Sequence, residues 1–160
     1  MPKLNKPIDK EEFWKERIDN AAREHYSVYV TSEFDWKYIY TTHKAIIEEH
    51  IPQGVKVLDA GCGYGRMSML FDNYTGVDFS PDFIREANKK YAGKKFIQAN
   101  LKELPFGDGE FDWAFCVSIK RMVIDNLGED EWNKMEKELK RVAKKVLILE
   151  YEDPKIYEIL

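Results

Sequence analysis

An acid set two residues ahead of three alternating glycines is the first sign of chemistry in the chain: Val57-Leu58-Asp59-Ala60-Gly61-Cys62-Gly63-Tyr64-Gly65-Arg66. A glycine turn between a strand and a helix lets a ligand approach the backbone without meeting a Cβ, and several nucleotide-binding folds share the device. Asp59 narrows the choice. A dinucleotide site receives a pyrophosphate on such a turn, and a carboxylate there would repel it; a ligand carrying an ammonium group would be attracted. The spacing Gly61-x-Gly63-x-Gly65 also departs from the G-x-G-x-x-G of the dehydrogenase fingerprint, which disfavours an NAD-binding oxidoreductase. A tight turn with no ligand is the remaining alternative. It requires three glycines and an acid to be placed by chance. A second acid, Asp78, closes the apolar run Tyr74-Thr75-Gly76-Val77 and reads either as a ligand group or as a helix-initiating turn residue.

The elements that must hold these residues follow from periodicity. Asp9 with Glu12 makes a capping-box pattern, after which Phe13, Trp14, Ile18, Ala21 and Ala22 recur at helical spacing. Thr31 or Ser32 caps a second predicted helix with Phe34, Tyr38, Ala45 and Ile46 on one side, and Pro52-Gln53-Gly54 stops it. From residue 55 the texture alternates strand and helix. Strands are predicted at 55–59, 74–78, 95–99, 111–117 and 146–150, and Ser80-Pro81 opens a helix as N-cap and first helical residue. A helix with Trp132, Met135, Leu139 and Val142 on one stripe precedes the fifth strand. Such alternation implies an α/β fold, a doubly wound and mostly parallel sheet of about five strands with N-terminal helices. The reading is one domain over 1–160, a helical segment 1–52 followed by a core 53–160.

Residues 55–150 resemble the Rossmann-like core of the class I S-adenosylmethionine-dependent methyltransferases, and V-L-D-A-G-C-G-Y-G-R is similar to that family's first motif. The resemblance implies S-adenosyl-L-methionine as cofactor, cradled by Asp59, Gly61, Gly63 and Gly65. Gly76-Val77-Asp78-Phe79-Ser80 resembles the second motif, so Asp78 is expected to accept hydrogen bonds from both ribose hydroxyls and Phe79 to pack beside the adenine. Asn100-Leu101 matches the third motif only in part, since the family often has an aspartate there; the Asn100 oxygen can still accept from the adenine amine, or Asn100 is a plain loop residue. Phe111 to Ser118 resembles the fourth motif, which puts the backbone near Val117 against the methionine ammonium and leaves Asp112 a structural role. In this family the segment before the core often lids the cofactor, which would make 1–52 a lid.

Methyl transfer from a sulfonium is an in-line displacement with an excellent leaving group. The protein chiefly aligns the acceptor and excludes water, and a base is needed only when the acceptor starts protonated. His25, His43 and Lys120 are the candidate catalytic groups. Lys120 with Arg121 could instead hold an anionic acceptor or simply begin a solvated helix. The Asn/Asp-Pro-Pro-aromatic signature of enzymes that methylate base or glutamine amino groups is not found at Val117-Ser118-Ile119-Lys120. A net charge of -4 offers no bulk field for nucleic acid. The expected acceptor is therefore a small molecule, and the expected location cytoplasmic, with no apolar run of membrane-spanning length. Cys62 and Cys116 form no spaced metal motif and read as packing residues; no metal is expected. Only Tyr151 to Leu160 follow Glu150, too few for the helix and hairpin that usually complete the family's sheet. The hairpin is accordingly expected to be missing and the fifth strand to lie near an open edge, covered either by residues 151–160 folding back with Ile156, Tyr157, Ile159 and Leu160 or by a second copy; Pro154 and the acids Glu152, Asp153 and Glu158 argue against the tail and favour a homodimer. Two functions follow: an active methyltransferase, or a module that keeps the cofactor fold and serves as a partner or regulatory subunit.

Overall fold

The computed structural model describes residues 33–150, 153 and 155–160, with side chains from residue 37 onward. The first predicted helix and His25 lie outside the described residues. In chain order the elements are α1 (Glu33–His50), β1 (Val57–Ala60), a turn of 3-10 helix (Ser68–Leu70), β2 (Tyr74–Asp78), α2 (Pro81–Lys90), β3 (Lys95–Gln98), β4 (Phe111–Val117), α3 (Lys120–Leu127), α4 (Glu129–Val142), β5 (Ala143–Leu149) and β6 (Tyr157–Ile159). The six strands are ordered β3-β2-β1-β4-β5-β6, parallel from β3 through β5. The fold is α/β and Rossmann-like. Every residue of β1 and β2 is buried, as expected of central parallel strands covered on both faces.

Side-chain alternation along β1 divides the core. Val57 joins Ile46, Ile47 and Ile51 from α1 with Phe71, Tyr74, Phe96, Phe115 and Leu147 on one face. Leu58 and Ala60 join Val77, Ala114, Trp132, Leu139, Val142 and Ile148 on the other, beneath α4. Each fully buried side chain of this size contributes about 1.5–3 kcal/mol relative to exposure. The Ser80-Pro81 start is as predicted: Ser80 Oγ accepts the Phe83 N–H at 3.4 Å, Asp82 sits in the first turn of α2, and Lys89 and Lys90 sit in its last.

Two expectations are corrected. In α1 the buried stripe is Ile39, His43, Ile46 and Ile47, spaced i, i+4, i+7, i+8, while Tyr38 is 48% exposed and Ala45 faces outward. The buried face is thus turned by about one residue from the expected stripe, because the isoleucines gain more from burial than a tyrosine that can keep its hydroxyl in water.

The second correction concerns the end of the sheet. Tyr157–Ile159 pairs antiparallel with β5, Leu147 opposite Ile159 and Leu149 opposite Tyr157, and Val146 and Leu160 exchange two more backbone bonds at 3.0 and 2.8 Å. One strand of the expected gap is thus filled by the chain itself. The acids that argued against it are used elsewhere: Asp153 makes a turn, accepting the Ile156 N–H on its carbonyl at 2.9 Å, and Glu158 pairs with Lys120. With β5 paired on both sides, the reason for a dimer across its edge no longer holds.

Candidate functional site

Strand order reverses between β1 and β4, because the chain builds outward through β2 and β3 and then returns to the other side of β1. The crevice at the carboxyl ends of two such strands is where open α/β sheets bind ligands. Asp59, the glycine loop and Ser118 all lie at that end.

The glycines have separate reasons. Gly63 has φ +54 and an added Cβ would meet nothing within 4 Å, so the face of the loop at this residue is open to an approaching ligand. A Cβ on Gly65 would stand 2.6 Å from the Phe96 ring, and one on Gly61 2.8 Å from Ile119. Those two are glycine because neighbours press on them. Cys62 and Cys116 are buried and unpaired, with thiols pushed up by desolvation, in keeping with packing roles.

Asp78 binds the loop from below. Its Oδ2 accepts the Gly63 N–H at 3.0 Å and its Oδ1 accepts the Ser80 N–H at 2.9 Å. A carboxylate oxygen has two lone pairs, so each oxygen keeps capacity for a further donor. Burial raises the Asp78 pKa to about 6 against these backbone bonds, which lower it. Phe79, the next residue, is 46% exposed and presents an aromatic ring beside the acid.

Asp59 is deeper. Its Oδ2 accepts the Tyr74 hydroxyl at 2.6 Å, and burial lifts its pKa to about 7, with the Asp78 charge adding to the rise and the Tyr74 hydrogen bond and Arg66 opposing it. Gly76 makes the Tyr74 contact possible, since a Cβ there would stand 2.8 Å from the Tyr74 hydroxyl. Two carboxylates held near neutrality in one crevice are poised for a ligand bearing hydroxyl and cationic donors.

The other predicted residues are placed less directly. Asn100 is exposed and its Oδ1 accepts the Lys102 N–H at 3.0 Å, a local turn that leaves one lone pair for a ligand. Leu101 is buried with Leu58, Ala60 and Val77, so only its backbone is available. Val117 ends β4 with its side chain buried. Asp112 has the structural role foreseen: its Oδ2 accepts the Lys56 N–H at 2.9 Å and its Oδ1 pairs with Lys144.

On the other side of the crevice α1 meets the end of β5. The ring Nε2 of buried His43 lies 2.9 Å from the Glu150 carbonyl oxygen, which can only accept, so Nε2 carries the proton and Nδ1 a bare lone pair. That Nδ1 is buried without a partner among the described residues. Burial lowers the His43 pKa to about 4, so the ring is neutral at physiological pH. Lys120, by contrast, is held by Glu158 at 2.5 Å and lies 5.9 Å above the Trp132 ring, away from the role of a free anion holder. Three groups escaped sequence reading: Arg66, Ser118 and Glu150, each with a buried polar atom that has no partner among the described residues. Ser118 also has φ 61, the one positive φ among described non-glycine residues, a strain of about 1–3 kcal/mol of the kind found at functional sites. Only its position after β4 could have flagged it.

Residues 58–148 match the protein family described as methyltransferase domain, more than half of the chain, from within β1 to within β5. The chain belongs to that family. Its fold is that of the class I, S-adenosylmethionine-dependent members. Among curated proteins the methyltransferase chain is 36% identical over 107 residues to the uncharacterized protein MJ1123 of Methanocaldococcus jannaschii, covering 67% of this chain and 48% of that one. It is 36% identical over 63 residues to a malonyl-[acyl-carrier protein] O-methyltransferase of Pseudescherichia vulneris, covering 37% and 25%. Among solved structures, an S-adenosylmethionine-dependent methyltransferase of Methanosarcina mazei superposes with TM-score 0.57 at 26% identity, over 64% of this chain and 55% of that one. The chain spans less than half the length of these curated relatives.

The site fits the family's cofactor on its own geometry. Gly63 is open, Asp78 keeps spare lone pairs beside it, Phe79 exposes an aromatic ring and Asp59 supplies a buried acid, a donor and acceptor set that a nucleoside bearing an amino-acid end can use. No described helix is long and apolar enough to cross a membrane.

Proposed function

We propose that the domain binds S-adenosylmethionine along the ends of β1, β2 and β4 and transfers its methyl group to a small-molecule acceptor. The observation that carries the reading is the bond from the Gly63 N–H to Asp78 Oδ2, which ties a ribose-type acceptor to the open glycine of the loop. When bound, the cofactor supplies a methyl group already activated on a sulfonium. The chain's part is to hold and orient. Asp78 would accept the two ribose hydroxyls, Phe79 would cover one face of the adenine, Asn100 would meet its amine, and the Leu101 backbone would line the same edge. Gly61, Gly65 and Val117 would shape the backbone around the amino-acid end, and Asp59 would face its ammonium. The single-domain reading over 1–160, with 1–52 as lid, belongs to the same proposal; Ile46, Ile47 and Ile51 sharing a core cluster with β1 and β5 supports it.

For the acceptor, His43 is the better candidate of the two described. A ring with pKa about 4 is a weak base at neutral pH, but its bare Nδ1 can accept a hydrogen bond and orient a hydroxyl or amine. Lys120 is engaged by Glu158. The net charge of -4 favours a metabolite over nucleic acid. The similarity to the Pseudescherichia malonyl-[acyl-carrier protein] O-methyltransferase supports methyl transfer as the class of reaction. Calorimetric titration with S-adenosylmethionine and S-adenosylhomocysteine, followed by labelled methyl transfer to a metabolite extract, RNA and DNA, tests it. Binding with labelling of the metabolite pool is expected. Labelling of bulk RNA or DNA alone overturns the acceptor class, and binding without transfer to any pool favours the partner or regulatory module.

A further inference from the structure

Glu150 is a carboxylate at the rim of the crevice that takes no part in holding the cofactor. It stands where β5 ends, one residue past Leu149, which pairs with Val117 of β4. Ser118, one residue past Val117, donates its N–H to the Leu149 carbonyl at 2.8 Å, so the two residues leave the sheet side by side. The buried Cys116 thiol on β4 feels the charges of both Asp59 on β1 and Glu150 on β5, which sets the two acids at the same end of the sheet with β4 between them. Ile119, next after Ser118, stands against the glycine loop, where a Cβ on Gly61 would lie 2.8 Å from its side chain. The turn after β4 thus connects the cofactor loop to Glu150.

Three atoms about this turn are buried without a partner among the described residues: Glu150 Oε2, Ser118 Oγ, and Nδ1 of His43, whose ring is held by the Glu150 carbonyl. The imidazole nitrogen can only accept a hydrogen bond, as can an ionised carboxylate, and the hydroxyl can do either. Burial raises the Glu150 pKa, opposed by the Lys120 charge and by the Arg121 backbone N–H in the first turn of α3, which the side chain accepts. That cap occupies one oxygen and fixes the carboxylate. It leaves Oε2 dehydrated for no return, a state that natural sites keep for a ligand. The neighbouring cation, Lys120, is engaged by Glu158. A group rich in donors and positive in charge answers such a set, whereas a carboxylate or phenolate would be repelled by Glu150.

We propose that the methyl acceptor is a basic amine, bound by Glu150 Oε2 and Ser118 Oγ, and that the domain is an N-methyltransferase. The inference rests on the cofactor reading of the Asp78–Gly63 site and narrows its acceptor class. The amine arrives as an ammonium, and Glu150 Oε2 accepts one proton on its way to water. The freed nitrogen lone pair then forms the C–N bond as the C–S bond breaks, its electron pair staying on sulfur. The products are a neutral thioether and a methylated ammonium. Positive charge moves from sulfur to nitrogen in this step, so a fixed carboxylate beside the nitrogen stabilises the transition state.

Methyl-labelled S-adenosylmethionine is supplied with a metabolite extract, before and after acetic anhydride has acylated its amines, and the products are split on a cation exchanger. Label in the retained pool, lost after acylation, is expected. With S-adenosylhomocysteine in place of the methyl donor no transfer can occur, and the amine pool should still raise the melting temperature of the complex while the acylated pool does not. Glu150→Gln keeps the side chain's length and its cap but not its charge. It is expected to lower amine labelling at limiting acceptor about 10- to 100-fold and to change S-adenosylhomocysteine affinity by less than about twofold. Label that survives acylation or collects in the unretained pool overturns the proposal, as does a protein that binds S-adenosylhomocysteine and labels neither pool. A Glu150→Gln variant that labels amines as the unaltered protein does, or loses cofactor affinity in proportion, also overturns it. Failure of the cofactor reading looks different, because the unaltered protein would then bind neither S-adenosylmethionine nor S-adenosylhomocysteine.

Discussion

The two sides of the crevice are built by opposite rules. On the β1–β2 side the polar groups are tied down before any ligand arrives: Asp78 by two backbone N–H groups, Asp59 by the Tyr74 hydroxyl. On the side made by α1 and the ends of β4 and β5, His43 Nδ1, Ser118 Oγ and Glu150 Oε2 are buried without partners among the described residues. The first side is preorganised for an invariant ligand. The second carries unmet hydrogen-bonding capacity, which suits a group that comes and goes. Binding energy on the first side should therefore be concentrated in few residues, while changes on the second should be felt in turnover more than in cofactor affinity.

The largest effect should come from the loop. Gly63→Val is expected to abolish measurable cofactor binding while leaving a folded protein, because its Cβ enters open space on the ligand's path and the positive φ costs about 1–2 kcal/mol. Gly65→Val should do the reverse and unfold the domain, since the side chain would drive into the Phe96 ring. Circular dichroism and calorimetry on both variants check the pair. A Gly63→Val protein that binds normally would remove the loop from the site.

Next, Asp78→Ala should weaken S-adenosylhomocysteine by about 1.5–3 kcal/mol, roughly 10- to 150-fold, as hydrogen bonds to a charged acceptor are lost. Unchanged affinity in a folded variant would exclude Asp78.

A pH experiment sharpens the contrast further. Folding raises Asp78 to about 6 and Asp59 to about 7, both from an ordinary 3.8, so these groups stabilise the fold fully below pH 3.8 and lose that contribution as pH climbs through 6 to 7. His43, lowered from 6.5 to about 4, works in the opposite sense as pH falls. A ligand ammonium and ribose donors favour the ionised acids. The gain in melting temperature on adding S-adenosylhomocysteine should therefore be greater at pH 8 than at pH 5, and comparison with the unliganded protein at each pH cancels the His43 contribution. A gain independent of pH would detach the acids from the ligand.

Smaller effects belong to the other side. His43→Leu removes the bare lone pair, and we expect KM for the acceptor to rise severalfold, about 1 kcal/mol, with cofactor affinity unchanged. Equal loss in both would make His43 a packing residue. Glu158→Gln, which breaks the partly exposed pair with Lys120, should cost about 0–1 kcal/mol in urea unfolding. A larger loss would mean that β6 is held by this pair more than by its backbone ladder.

Local chemistry was legible in the residues because it depends on local order. Asp59 and the glycines could be read as a ligand turn from the strand–turn–helix rhythm, Asp78 joined them through its resemblance to the family's second motif, and the Ser80 cap and the inward stripe of Trp132, Leu139 and Val142 were legible from local pattern. Such signals arise within a few residues of chain, where periodicity and turn chemistry act directly. The sequence could not show which α1 face is buried, because Ile39, His43 and Ile46 become a stripe only when β1 and β5 lie beneath them. Nor could it show that Tyr157–Ile159 would close the sheet, since strand pairing depends on what edge is open nearby and not on the strand's own polarity. Arg66, Ser118 and Glu150 are ordinary letters in the chain. They became candidates through tertiary burial, which removed water from one polar atom of each and, among the described residues, put nothing in its place.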